Sequence, residues 1–202
     1  MLWIYGASGH GKVILDILEK NKIPVGGFLD DDENLSDFAG YKVILPGDLP
    51  SFPAEVIIAV GDNATRKKIV DNNSFKYITA IHPSAILSAS TIVEEGNVIM
   101  ARAVIQPGAT IGKHAIINTG ALIDHDCIIG DYTHISPGVT LCGNVTVGEG
   151  TWVGAGSTVI QGVTIGKNVM VGAGSLILKD VPDNVLIVGN PQRIVRKLTT
   201  ND

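Results

Sequence analysis

Very little in this sequence can form a cross-link or an aromatic core. Its 202 residues include two cysteines, Cys127 and Cys142, too few for a disulfide framework, and a reducing compartment is the simpler reading. Aromatic residues make up 5% of a chain that is 45% hydrophobic, so the core has to come from aliphatic side chains. Positive charge is not in excess either. A net charge of −5 argues against a nucleic-acid partner, which normally needs a basic patch. No apolar run approaches the length of a bilayer span. Met1 leads directly into an apolar strand, with no basic stretch or cleavage site after it. The expectation is a cytoplasmic protein without a membrane partner.

What the chain does have is a six-residue period. From Leu87 to Ile177 every sixth residue is Ile, Leu or Val. Four places after each, small or β-branched residues recur, as at Ala109, Ala115, Ala121, Cys127 and Thr133. Neither the helical period nor simple strand alternation gives this pattern. Short strands joined by tight turns and wound into a parallel β-helix do, with three hexapeptides to each triangular coil. The 24 glycines suit the turns such a coil needs.

Residues 1–83 follow a different rule and read as a half-Rossmann-like α/β domain. Leu2–Tyr5 is a strand, the glycine-rich run Gly6 to Gly11 a turn, and Lys12 to Asn21 a helix. Val25–Leu29 and Glu55–Val60 are further strands, and a second helix starts near Ala64 with Asn63 as its cap. Ile81-His82-Pro83 joins this domain to the β-helix, over 84–188, and an irregular tail occupies 189–202.

Two groups of residues can carry chemistry. The turn containing Gly6, Ser8, Gly9, His10 and Gly11 can present backbone N–H groups to an anion at a helix N-terminus, or be a tight turn only. Asp30 and Asp31 end the second strand, where carboxylates can meet ribose hydroxyls or simply face solvent. In the repeats, Asn118, Asp124, His125, Asp126 and His134 interrupt the ladder. A carboxylate beside His125 can orient the ring and raise its basicity, as a general base requires. His134 is half a coil further on, so the two histidines meet most easily across a subunit interface.

The ladder, Tyr5 to Gly11, Phe28-Leu29-Asp30-Asp31 and the Asn118 to His134 cluster, in that order, resemble the sialic acid O-acetyltransferase and bacterial nucleotide-sugar N-acetyltransferase family. The resemblance covers almost the whole chain. It implies a homotrimer of left-handed parallel β-helices, an exception to the right-handed crossover rule. It implies a nucleotide-sugar in the N-terminal domain, acetyl-CoA as cosubstrate between neighbouring β-helices, and no metal. His125 matches the family's general base, and Asp126 stands where a glutamate supports it. His134 and Asn118 match residues near the thioester. Gly143, Ala155 and Ala173 match backbone beside the pantetheine arm, Ala173 in place of a glycine. The turn from Gly6 to Gly11, with Asp30 and Asp31, matches the nucleotide side. Gly61-Asp62-Asn63 replaces a Gly-Asn-Asn version, and Gly61 and Asn63 are carried over with it.

The activity so implied is direct acetyl transfer to the amine of a UDP-4-amino-sugar. O-acetylation of sialic acid or another sugar hydroxyl, and a non-catalytic nucleotide-sugar-binding protein, are the alternatives. A zinc enzyme of the gamma-class carbonic anhydrase type shares the coil. That family pairs two histidine ligands five residues apart, a spacing absent among the histidines here.

Overall fold

In the computed structural model, which describes residues 1–49 and 54–199, the six-residue period becomes a three-sided parallel β-solenoid. The last three residues of the expected tail lie outside the described residues. Each rung is a two-residue strand, one side chain pointing in and the other out. Each pairs in parallel with the strand one coil on, as Val98–Ile99 does with Ile116–Ile117 and that pair with His134–Ile135. Three faces result. The first runs from Ala80–Ile81 through His134–Ile135 to Met170–Val171, the second from Ile86–Leu87 to Leu176–Ile177, and the third from Ile92–Val93 to Thr164–Ile165.

The period works because it gives each residue type one place. The sixth-position Ile, Leu and Val side chains meet on the axis, where Ile99, Ile117 and Ile135 are fully buried. Ala109, Ala115 and Ala121 fill the narrow space inside the corners. Truncating one axial isoleucine to alanine in so tight a stack costs about 2–5 kcal/mol. Residues stack in columns at an offset of 18, as in the bond from Gly108 N–H to the Ser90 hydroxyl. The period lapses after Ile177 because the last coil is shorter, its residues bonding at an offset of 16. The expected irregular tail is in part ordered. Arg193–Lys197 pairs antiparallel with Val185–Val188, covering what would be an open edge of the first face.

The N-terminal sheet has the order β3-β4-β2-β1-β5-β6, with β1 Leu2–Tyr5, β2 Val25–Leu29, β3 Asp37–Phe38, β4 Tyr41–Ile44, β5 Glu55–Ile58 and β6 Lys76–Tyr77. All its pairings are parallel except β3 with β4. Helix α1, Gly9–Lys20, packs Ile14, Ile17 and Leu18 between the sheet and the first face, against Ala80, Val98 and Ile116. It begins three residues before the sequence-based start. Glycines weigh against a helix, but a Cβ on Gly11 would lie 2.4 Å from the Gly6 carbonyl oxygen, so close packing selects glycine there. Helix α2, Asn63–Asn72, is capped by Asp62 and not by the expected Asn63, and the Asp62 carboxylate accepts from Thr65 N–H. Strand β5 ends at Ile58, two residues early, as the chain turns toward the solenoid. Among the described residues no helix is long and apolar enough to cross a membrane.

Candidate active site

His125 occupies the corner between the second and third faces, directly after the rung Leu122–Ile123. Asp124 accepts from the His125 main-chain N–H, and Asp126 Oδ2 lies 2.8 Å from the ring Nδ1. A carboxylate only accepts here, so Nδ1 carries the hydrogen and Nε2 presents its lone pair. The hydrogen bond to Asp126, and then the charge of Asp124, raise the pKa of this exposed ring above its ordinary value. Asp126 has φ of +58°, the left-handed conformation that Gly108 and Gly162 adopt in the same column. An L-residue there costs on the order of 1 kcal/mol relative to glycine.

The adjoining columns are cut to fit. A Cβ on Gly143, one coil above His125, would lie 2.5 Å from the ring Cε1 and Nε2. A Cβ on Gly108, one coil below Asp126, would lie 2.4 Å from its Oδ1. Glycine at both places leaves room for the histidine–carboxylate pair. Gly108 was not among the expected site residues. Its signal was the 18-residue offset from Asp126.

His134 is the opposite case. It points outward from the first face into the seam with the N-terminal domain and is buried. Its ring stacks on Trp152 at 4.7 Å between centroids and 19° between planes. Nε2 is 3.1 Å from Asn118 Nδ2, and Nδ1 is 3.3 Å from the Gly61 carbonyl oxygen. Asn118 Oδ1 accepts from Thr119 N–H, which fixes which end of the amide is which. His134 is therefore the neutral Nδ1–H tautomer, with both nitrogens engaged. Burial and then the Arg66 charge push its pKa down to about 4. His10 shares the environment, pushed down to about 4 by burial and Arg66, and its buried Nε2 has no hydrogen-bond partner among the described residues.

In the N-terminal domain, Gly6 has φ of +114° and no room for a Cβ against the Ala59 carbonyl. Ser8 caps α1 by backbone conformation alone, without a side-chain bond to the first turn. Gly9 faces open space. Asp30 turns inward: Oδ2 accepts from Ala7 N–H at 2.8 Å and Oδ1 from Asp32 N–H at 3.1 Å, so it fastens the loop to β2. Asp31 accepts from the Tyr5 hydroxyl at 2.8 Å. Asn63 donates to the Gly150 carbonyl of the solenoid.

The expected site residues thus fall into two groups on different corners of one chain. His125, Asp126 and Gly143 share the second–third corner. Asn118, Ala155 and Ala173 lie at the first–second corner, where Asn118 meets His134 and His134 meets Gly61, whereas Asn63 bonds Gly150 at the third–first corner. Gly143 does not join Ala155 and Ala173 within a single chain. His114 lies one coil before Tyr132, packed against Tyr77 and stacked on Tyr132, and its ring reaches neither His125 nor His134 in a hydrogen bond among the described residues. Cys127 is buried, its thiol pushed up by that burial, and Cys142 is half-buried. Sequence reasoning also missed Trp152, one coil after His134, and Arg66, for which no periodic signal existed.

Residues 1–73 match the family described as the PglD N-terminal domain, and residues 90–125 and 144–179 match the bacterial transferase hexapeptide family. The chain is similar to PerB from Caulobacter crescentus, solved with CoA and GDP-perosamine, at 38% identity and a TM-score of 0.90, covering 96% of each chain. It is equally similar in shape to the acetyltransferase domain of PglB from Neisseria gonorrhoeae, solved with acetyl coenzyme A. There the identity is 36% and the TM-score 0.88, over 96% of this chain and 98% of that one. A curated relative, UDP-N-acetylbacillosamine N-acetyltransferase of Bacillus subtilis, is 42% identical over 111 residues, 48% of this chain. That match spans about half the length of the curated relative.

Proposed function

Since the chain belongs to the hexapeptide-repeat family of bacterial nucleotide-sugar N-acetyltransferases, we propose that it moves the acetyl group of acetyl-CoA onto the amine of a nucleotide-linked sugar. The observation that carries this reading is the His125 ring: Nδ1 tied to Asp126, Nε2 open, and the neighbouring coil emptied to glycine above it. The amine nitrogen attacks the thioester carbonyl and gives up its proton to His125 Nε2. The tetrahedral intermediate then expels the CoA sulfur, which takes that proton. Proton removal contributes roughly 10²- to 10⁴-fold, and alignment of the two substrates adds to it. Backbone N–H groups at the solenoid corner steady the oxyanion. Cys127 is buried with its thiol pushed up, which makes it a poor nucleophile and favours direct transfer over an acyl-enzyme.

The nucleotide-sugar lies against the N-terminal domain, where the uncapped first turn of α1 offers N–H groups to a diphosphate. The active unit is a homotrimer, because His125 and Gly143 on one corner need the Asn118, Ala155 and Ala173 corner of a neighbour to complete the site. The acceptor is a UDP-4-amino-sugar, the nucleotide named in the curated relative, with a GDP-linked amino sugar as the competitor raised by the Caulobacter protein.

Free CoA release tests this across UDP- and GDP-linked amino sugars, the matching hydroxy-sugars, and sialic acids. Release with the amino sugars alone is the expected result. Release with sialic acids alone moves the activity to oxygen, and binding without release makes the chain a nucleotide-sugar-binding protein. Light scattering on the turning-over protein should give a trimer, and an active stable monomer would remove the shared site.

A further inference from the structure

Arg66, on α2, is the largest fully buried side chain among the described residues, at 1% exposure. No carboxylate lies within hydrogen-bond reach of it among the described residues. Asp62, whose charge acts on it, is engaged as the α2 cap. Burying a guanidinium without an ion-pair partner is unfavourable, and a neutral side chain of similar size could fill the space. What a neutral side chain could not do is gather oxygens from three segments.

The fork does so on all its nitrogens. Nε donates to the His114 carbonyl at 2.8 Å. Nη1 donates to the Val60 and Gly61 carbonyls at 3.0 and 3.1 Å. Nη2 donates to Asn63 Oδ1 at 2.8 Å and to the Tyr132 and Thr133 carbonyls at 2.9 and 3.1 Å. Gly61 belongs to the N-terminal domain and provides the carbonyl that holds His134 Nδ1. Tyr132 and Thr133 are the solenoid residues that lead into His134. Both ends of that interdomain hydrogen bond are therefore fastened to one guanidinium.

We propose that Arg66 is a positioning residue for acetyl transfer: it locks the Gly61 carbonyl against the Tyr132–Thr133 segment, and so holds His134 and, through it, Asn118 in a single orientation. The proposal rests on the acetyltransferase reading above. The donors run in one direction, from Asn118 Nδ2–H to His134 Nε2 and from His134 Nδ1–H to Gly61. Trp152, stacked on His134, keeps the ring in plane but cannot choose the tautomer. The Gly61 carbonyl chooses it, and Arg66 sets where that carbonyl lies. One Nδ2 hydrogen of Asn118 is left over, aimed by this chain of bonds.

The test begins with the wild-type full chain carrying ¹⁵N-labelled histidine. Long-range ¹H–¹⁵N spectra should show His134 as the neutral Nδ1–H tautomer, and an Nε2–H tautomer overturns the proposal without any variant. Arg66→Met should mix the tautomers and lower kcat roughly ten- to a hundredfold while KM for both substrates stays within about twofold, the pattern of a misaligned site. Arg66→Lys keeps the cation but not the fork, so it should recover the fold and part of kcat only. A folded Arg66→Met with wild-type kcat and tautomer, or an Arg66→Lys with full activity, overturns the proposal. If Arg66→Met does not fold, the wild-type spectrum and Arg66→Lys decide. Absence of acetyl transfer with every acceptor would sink the acetyltransferase reading, while the His134 spectrum would still report on Arg66.

Discussion

Two histidines on one solenoid, half a coil apart, have been driven in opposite electrostatic directions. His125 stands exposed at a corner between two carboxylates and is made more basic. His134 lies in a domain seam next to a buried guanidinium and is held neutral down to about pH 4. The sequence neighbours already differ, since His125 stands between two aspartates and His134 between Thr133 and Ile135. The fold adds to that difference through what it stacks on each. Above His125 it places a glycine, and above His134 a tryptophan. A proton acceptor needs access and a nearby negative charge, whereas a fixed hydrogen-bonding wedge needs enclosure.

The strongest way to break the contrast is His125→Ala. It should lower kcat by about two to four orders of magnitude, the range for a lost general base, with KM for both substrates retained. Steady-state CoA release measures it, and near-wild-type turnover would give proton removal to solvent or substrate. Gly143→Ala should come next, with a loss of roughly ten- to a hundredfold, because the new methyl displaces a ring that must stay aligned. Retention of full activity in a folded Gly143→Ala would mean that the His125 ring tolerates movement.

The pH profile sharpens the comparison. His125 acts only when unprotonated, and its pKa is raised, so the rate should climb with pH through a midpoint above the ordinary imidazole value of 6.5. Asp126→Asn removes the hydrogen bond responsible, so that midpoint should move to lower pH, with a smaller fall in kcat than for His125→Ala. An unmoved midpoint would assign the limb to the acceptor amine. His134 should add no limb above pH 5, since it is already neutral there.

The smallest expected effect lies at the glycine-rich turn of the N-terminal domain. Gly9→Val places its side chain in open space at the first turn of α1, so the fold should tolerate it. It should raise KM for the nucleotide-sugar and leave KM for acetyl-CoA unchanged. Equal increases in both would mean that the two substrates are assigned to the wrong domains.

The solenoid was legible because its physics is periodic. One apolar position in six fixes the rungs, and the offset of 18 fixes what stacks on what, so His125 could be placed outward and apart from His134 from spacing alone. The same arithmetic would have yielded Gly108 and Trp152. The N-terminal domain was legible only in outline. Its strand–helix alternation was readable, but the start of α1 depended on a backbone contact between Gly11 and Gly6. The capping role passed to Asp62 because Asn63 was committed to Gly150 and Arg66. Arg66 itself sits in a run of basic residues that reads as a solvated helix face. Its burial exists only once two domains have met, and no local pattern encodes that. The tail reads as irregular because its strand is a single antiparallel return rather than a further rung.

The offset that lines up His125 with Gly143 also makes the molecule's length a quantity that changes in steps. Adding or deleting one residue in a corner would rotate every later side chain out of its column, separating the ring from its glycine and the axial isoleucines from each other. Adding a whole coil would leave the cross-section untouched and only move the N- and C-terminal ends apart. Evolution or an engineer could therefore lengthen this protein beyond Trp152, toward the short final coil, without parting either histidine from the residue stacked on it. The same insertion between His125 and Gly143 would preserve the fold and remove the site.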